Sequence, residues 1–143
     1  MKLNRFEKTA LFISGISAFG IGSLIVFTPH SFYASSGIVL DNDVNLLSEL
    51  RAPAAGLLTL GMFMLLGIIR PVLAQISIFS TLVVFITFPA GRLISIMFDG
   101  MPSMAVFSAL IFELVIAAVS LIAFSRHLLG RANSSKKSNR LIA

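Results

Sequence analysis

Four long runs of apolar residues constrain this chain more than any other feature. They cover residues 9–27, 52–69, 72–98 and 104–124. A hydrocarbon core about 30 Å thick is crossed by roughly 20 helical residues. Because a backbone in lipid must satisfy its own hydrogen bonds, each run is predicted to be a transmembrane helix. A composition with 57% hydrophobic and only 12% charged residues excludes an ordinary soluble domain.

The residues that flank the runs refine the predicted spans. Asp43 is a plausible N-cap, and the leucines that follow it extend the second span toward residue 46, with a kink expected at Pro53. The predicted fold is therefore an all-α integral membrane protein, a four-helix bundle with a long first loop. Its spans cover residues 9–27, 46–69, 72–98 and 103–127, between an N-terminal segment of residues 1–8 and a basic tail of residues 128–143 that is predicted to be disordered.

The first run has an alternative interpretation as a signal peptide, because the basic stretch MKLNRFEK precedes it. The apolar run is longer than a usual signal-peptide core, and no good cleavage site of small residues follows it. We therefore interpret it as an uncleaved span.

The placement of lysine and arginine predicts the orientation. Nine of these residues fall on one side of the predicted membrane: Lys2, Arg5, Lys8, Arg70, Arg126, Arg131, Lys136, Lys137 and Arg140. The opposite side holds Arg51 and Arg92, together with most of the acidic residues. By the positive-inside rule, both termini are predicted to be cytoplasmic in a multi-pass protein of the inner (plasma) membrane.

Several classes of site and partner are disfavoured by composition. The chain has no cysteine and only two histidines, His30 and His127, which are far apart, so neither a metal site nor a cofactor is predicted. The net charge of +5 comes mainly from residues that flank the spans, so a nucleic-acid partner is not expected. The predicted partners are the lipid bilayer, a lipid-like ligand, and either a second copy of the chain or another membrane protein.

Charged residues within the spans indicate a polar site. Residues at equal distances from a hairpin turn lie at the same depth, so Arg92 is predicted to lie near Glu113 across one turn and near Glu49 and Arg51 across another. Together with Asp99 they form a predicted layer of five charged residues, in which an irregularity at Pro53 is expected to let Glu49 and Arg51 turn inward. Arg92, Ser95 and Asp99 share a helix face because they are spaced by three and four residues.

Glu113 is the candidate catalytic residue of this predicted layer. It lies on a stripe of small residues on the fourth span, which indicates that it faces the other helices. An ionised carboxylate at mid-bilayer costs at least about 2.5 kcal/mol, so it must pair, take up a proton or meet water. Arg92, Glu49, Arg51, Asp99 and Ser95 are the candidate binding residues.

Plainer roles remain open for each of these residues. Arg92 has the length to reach lipid headgroups, Glu49 and Arg51 have positions suited to capping the second span, and Asp99 suits a turn. Glu113 has an alternative role as a structural clamp between helices.

The chain resembles a family of short bacterial four-span membrane proteins that is described only as a domain of unknown function. The resemblance covers most of residues 9–125 and rests on S-E-L-R-A in the second span, G-R-L-I-S and D-G-M-P-S around the end of the third, and E-L-V-I-A-A in the fourth. It implies four helices and a recurrent use of Glu49, Arg51, Arg92, Asp99-Gly100 and Glu113, with no activity to carry over. Ala54-Ala55-Gly56 departs from the more aromatic and glycine-rich stretch expected there.

Three functions are compatible with this pattern. The preferred hypothesis is a site in the outer leaflet that binds, and in an enzyme would isomerise or cyclise, a lipid-soluble small molecule, with Glu113 as proton donor. The second is a structural or accessory subunit of a larger membrane complex. A small proton-coupled transporter ranks last, because the first span contains no acidic residue.

Overall fold

The computed structural model describes the backbone of residues 3–142 and the side chains of residues 3–127. Within this part of the chain the fold is all-helical. The helices are α1 (Arg5–Phe27), α2 (Pro29–Ser35), α3 (Val44–Ile69), α4 (Ala74–Asp99) and α5 (Met104–Ile142). Four of them are long and apolar enough to cross a membrane: α1, α3, α4 and the segment Met104–His127 of α5. The protein is a multi-pass membrane protein, and the predicted four-span fold is confirmed.

Local sequence signals determine where two of the spans begin. Asp43 caps α3, since its side chain accepts hydrogen bonds from the backbone N–H groups of Asn45 and Leu46 at 2.7 and 3.0 Å. Asn4 and Glu7 form a reciprocal capping box at the start of α1, with two hydrogen bonds of 2.8 Å. The N-cap predicted at Asp43 is thus confirmed, and α3 continues through Pro53.

Helices α1 and α3 pack closely because glycines line their contact. A methyl group at Gly22 would collide with the backbone of Leu58, and one at Gly61 would collide with the backbone of Phe19. Small residues that let backbones approach in this way are typical of helix contacts in membranes. The buried core then extends to α4 and α5 through residues such as Phe124, which is fully buried.

The bundle has two ends that differ in structure. The loop end contains α2 and the turn at residues 100–103 between α4 and α5, and the basal end contains the start of α1 and the short turn between α3 and α4. The long first loop contains the short helix α2. The prediction that the loop end faces outward remains a prediction.

The last helix differs from the predicted spans. Residues 128–143 were predicted to be a disordered tail, but the backbone of α5 is helical as far as Ile142. No proline interrupts this stretch, and lysine and arginine favour helices. At 1.5 Å per residue the 39-residue helix is about 58 Å long, so it extends well past a hydrocarbon core of about 30 Å.

Candidate functional site

An ion pair joins α4 and α5 near the loop end. Arg92 Nε donates to both carboxylate oxygens of Glu113, at 3.1 Å to Oε1 and 2.9 Å to Oε2. The Glu113 side chain is 10% exposed and that of Arg92 is 33% exposed. The pairing predicted from the distance of each residue to the turn is therefore present, and it supplies the partner that a carboxylate at this depth requires.

The terminal nitrogens of Arg92 are not used by this pair. Both hydrogen bonds to Glu113 come from Nε, and no other residue in the described part of the chain accepts from the guanidinium group. A guanidinium group has five N–H donors, so Arg92 retains four for another acceptor. This spare capacity distinguishes the pair from a closed structural salt bridge.

A pocket of about 220 Å³ opens next to the pair. Apolar side chains from α1, α3, α4 and α5 form most of its wall, including Ala18, Leu57, Phe85 and Ala109. Arg92 and Glu113 also line it, and Tyr33 and Ser36 are its other polar residues. An apolar cavity with a few converging polar groups is the usual form of a small-molecule site.

Helix α2 closes the loop end of this pocket. Phe32 and Tyr33 project from α2 into its lining, and their rings meet edge to face with centroids 5.4 Å apart. Ser103 Oγ donates to the carbonyl oxygen of Ser36 at 3.3 Å, which ties the end of α2 to the turn between α4 and α5. Gly37 follows with a φ of 79°, a conformation that glycine adopts without strain.

The Tyr33 hydroxyl is a hydrogen-bond donor in this pocket. Burial raises the pKa of Tyr33 above its ordinary value, and the nearby Arg92 guanidinium offsets part of that increase by favouring the phenolate. The phenol therefore stays protonated at neutral pH. Tyr33 was not predicted from the sequence to be a site residue, although it is the one tyrosine of the chain and lies in the first loop.

The remaining candidate binding residues form no hydrogen bond or ion pair with Arg92 or Glu113. Ser95 Oγ donates to Asp99 Oδ2 at 2.9 Å on an exposed face of α4. Arg51 Nε donates to the carbonyl oxygen of Val26 at 3.1 Å, where it caps the C-terminal end of α1. Glu49 is exposed and makes no hydrogen bond or ion pair with the described residues.

The prediction that five charged residues form one inward-facing layer is therefore wrong for Glu49 and Arg51. Glu49 and Arg51 were expected to turn inward at an irregularity caused by Pro53, but they lie on the exposed side of one continuous helix. The buried face of α3 follows Ala54, Leu57 and Gly61, which are spaced by three and four residues. Leu47 and Leu50 continue that face toward the loop end, and neither of the two charged residues belongs to it.

A second ionic cluster, which was not predicted from the sequence, lies at the basal end. Glu7 is fully buried, and Arg126 donates to it from Nε at 2.6 Å and from Nη2 at 2.8 Å. His127 Nε2 lies 2.9 Å from Glu7 Oε1, and the backbone N–H of Asn4 donates to Oε2 at 2.8 Å. We call Glu7, Arg126, His127 and Asn4 the basal cluster.

One sequence signal pointed to the basal cluster. Asn4 and Glu7 have the spacing of a capping box, and Glu7 is the one acidic residue on the cation-rich side of the chain. Within the part of the chain that the structure describes, no group of three or more His, Cys, Asp or Glu side chains is arranged to hold a metal ion.

Comparison with known proteins identifies a family but no activity. A family model described as a domain of unknown function (DUF4345) matches residues 6–124. This range overlaps all four spans and includes every residue that lines the pocket, so the resemblance to a family of unknown function is confirmed. No match is found among curated proteins or among solved structures.

Proposed function

Because the chain belongs to the DUF4345 family, a domain of unknown function, no activity can be carried over to it, and we propose from the site alone that the pocket at the loop end binds a lipid-soluble small molecule. The observation that carries this proposal is the pocket of about 220 Å³ that Arg92, Glu113 and Tyr33 share with an apolar wall. Its wall provides hydrophobic contact, and its few polar groups provide orientation.

The charges in the pocket support binding more than catalysis. Both side-chain oxygens of Glu113 already accept hydrogen bonds from Arg92, so neither is free to act on a bound molecule. An isomerisation or cyclisation would need Glu113 to leave Arg92 and take up a proton. We therefore assign Glu113 the role of positioning Arg92 in the pocket wall.

Filling the pocket tests this proposal without knowledge of the ligand. Ala109 lines the pocket on α5, so the ring of Ala109→Phe would occupy much of its volume. Ala118 is exposed on the same helix, so Ala118→Phe is a matched control that adds the same ring on the lipid-facing side. The protein is extracted into nanodiscs with its native lipids, and small molecules that copurify are identified by mass spectrometry.

The expected result is a small molecule that copurifies with the wild-type protein and with Ala118→Phe but not with Ala109→Phe. The same set of molecules in all three preparations, with all three proteins folded, would contradict the proposal.

A role as an accessory subunit is the second candidate. Gly56 on α3 and Gly91 on α4 are both exposed, and a methyl group at either would meet open space. Such positions allow the close approach of another transmembrane helix. Gly56→Leu and Gly91→Leu would then remove a stoichiometric membrane partner from the purified complex, whereas unchanged copurification would oppose this role.

A further inference from the structure

The polar groups of the pocket are strongly biased toward hydrogen-bond donors. Arg92 has four N–H groups that no described residue accepts, and Tyr33 contributes a protonated hydroxyl. Both oxygens of Glu113 already accept from Arg92 Nε. A ligand headgroup in this position therefore meets donors, and the complementary chemistry is an anion or another strong acceptor.

The apolar part of the pocket limits the size of the ligand. An apolar cavity of about 150 Å³ holds one benzene molecule. In proportion, the observed volume of about 220 Å³ accommodates about nine non-hydrogen atoms. A complete phospholipid or a long isoprenoid chain greatly exceeds that volume.

The pocket is elongated, and its polar groups do not extend along its whole length. Val84 lines it on α4 eight residues before Arg92, which corresponds to about 12 Å along the helix axis. The lining between these two positions on α4 consists of Phe85 and Phe88. The donors are thus grouped toward one end of an elongated apolar cavity, which fits a short chain with a single polar head.

From these three observations we infer that the ligand is a small anionic amphiphile, a monocarboxylate with an apolar body of about six or seven carbons, whose carboxylate binds Arg92 and Tyr33. This inference rests on the proposed binding function and specifies the chemical class of its ligand. The carboxylate accepts from the terminal nitrogens of Arg92 while Nε remains on Glu113. The chain extends along α4 toward Val84.

A series of probes with the same chain separates the role of charge from that of shape. Octanoate, 1-octanol and octylamine share an eight-carbon chain and differ in the charge of the head. Binding is measured by calorimetry on the full chain in nanodiscs of phosphatidylcholine, with empty nanodiscs as the control for partitioning into lipid. Octanoate is expected to bind at least about ten-fold more tightly than 1-octanol, which is the usual gain from a charge-assisted hydrogen bond.

Two variants test whether the named residues cause this preference. The double substitution Arg92→Gln and Glu113→Gln removes both charges together, so that neither is left unpaired and the fold is retained. It is expected to abolish the preference for octanoate over 1-octanol. Tyr33→Phe removes one hydroxyl. It is expected to weaken the binding of octanoate about five-fold, with little effect on the binding of 1-octanol.

Each outcome decides the inference. Saturable binding of octanoate and 1-octanol with equal affinity would contradict the inference that the ligand is anionic, while leaving the proposed binding function intact. Saturable binding of none of the three probes, together with no copurifying molecule in wild type, would contradict both. Displacement of octanoate by phosphatidic acid added to the nanodiscs would contradict the inferred limit on ligand size. It would show that the headgroup of a large lipid binds where the carboxylate of octanoate binds.

Discussion

The two ends of the bundle each contain a buried glutamate paired with an arginine, yet the two arrangements differ in what surrounds them. At the basal end Glu7 accepts from Arg126, His127 and the backbone of Asn4, and it also caps α1. At the loop end, Arg92 is the one described residue from which Glu113 accepts a hydrogen bond, and the pair lies beside a pocket. The first carboxylate is enclosed by several partners, whereas the second leaves its arginine with unused donors.

This difference indicates how similar ion pairs serve different purposes. A carboxylate with several fixed donors is insensitive to the loss of any one of them, which suits a contact that holds α1 against α5. A single pair with spare donors next to an apolar cavity is suited to receiving another molecule. The comparison predicts that substitutions at the basal end mainly alter stability and that substitutions at the loop end mainly alter binding.

The largest expected effect on stability is at Glu7. Glu7→Ala removes the capping box and the contacts with Arg126 and His127, so we expect it to lower the free energy of unfolding by about 3 kcal/mol. The measurement is reversible denaturation in detergent, with Lys8→Ala, an exposed neighbour on α1, as the control. A loss no larger than that of the control would remove the distinction between the two ends.

A smaller effect is expected from unpairing the loop-end charges. Arg92→Gln leaves the nearly buried Glu113 carboxylate without a partner, which should cost about 2 kcal/mol of unfolding free energy. The double variant with Glu113→Gln should recover most of that loss, because no unpaired charge remains. At the basal end, Arg126→Gln combined with Glu7→Ala should show no such recovery, since Glu7 also caps α1 through the backbone N–H of Asn4 and contacts His127. Recovery at both ends would show that the two pairs are equivalent.

Tyr33 provides a third, smaller test, because it is the one tyrosine of the chain and its absorbance reports on the loop end alone. Burial should make it titrate above its ordinary pKa of 10.0 in the folded protein. The unfolded chain then loses this proton first, so stability should fall as the pH rises above about 10. Loss of the Arg92 charge in Arg92→Gln should raise the pKa of Tyr33 further. A titration that is identical in folded and unfolded protein would place Tyr33 outside the pocket.

The smallest effect concerns the region between the two ends. Ser14 Oγ on α1 and Ser120 Oγ on α5 are buried, and neither has a hydrogen-bond partner among the described residues. Ser14→Ala and Ser120→Ala should therefore each raise the unfolding free energy by about 1 kcal/mol, since a polar atom without a partner is removed from the core. Ser17→Ala is the control, because Ser17 Oγ donates to the Ile13 carbonyl at 2.8 Å. Destabilisation at Ser14 and Ser120 would indicate that both hydroxyls have partners in the membrane.

The positions of residues along the helices were predictable from the sequence. Which side of each helix faces the bundle was predictable only in part. The four spans, the N-cap at Asp43 and the contact between Arg92 and Glu113 follow from run length, capping preference and distance to a turn. Distance to a turn does not give the rotation of a helix about its own axis. Glu49 and Arg51 were therefore assigned to the wrong face of α3.

Contacts between distant segments were the least predictable. Tyr33 enters the pocket because α2 folds over the bundle, and a loop without periodic hydrophobicity gives little indication of where it will lie. Glu7 meets Arg126, 119 residues later in the chain, through packing of α1 against α5. The helical continuation of α5 to Ile142 was missed because a polar composition was interpreted as disorder.

The affinity of octanoate for Glu113→Gln tests the central claim most directly. Glu113→Gln keeps a side-chain oxygen that can accept from Arg92 Nε, so Arg92 stays in the pocket wall while the negative charge that repels an anionic ligand is removed. Octanoate binding should therefore tighten by about ten-fold. Glu7→Gln, which alters the other buried glutamate, should leave that affinity unchanged. An affinity that is unchanged or weaker in folded Glu113→Gln would contradict the account, as would an equal increase in Glu7→Gln.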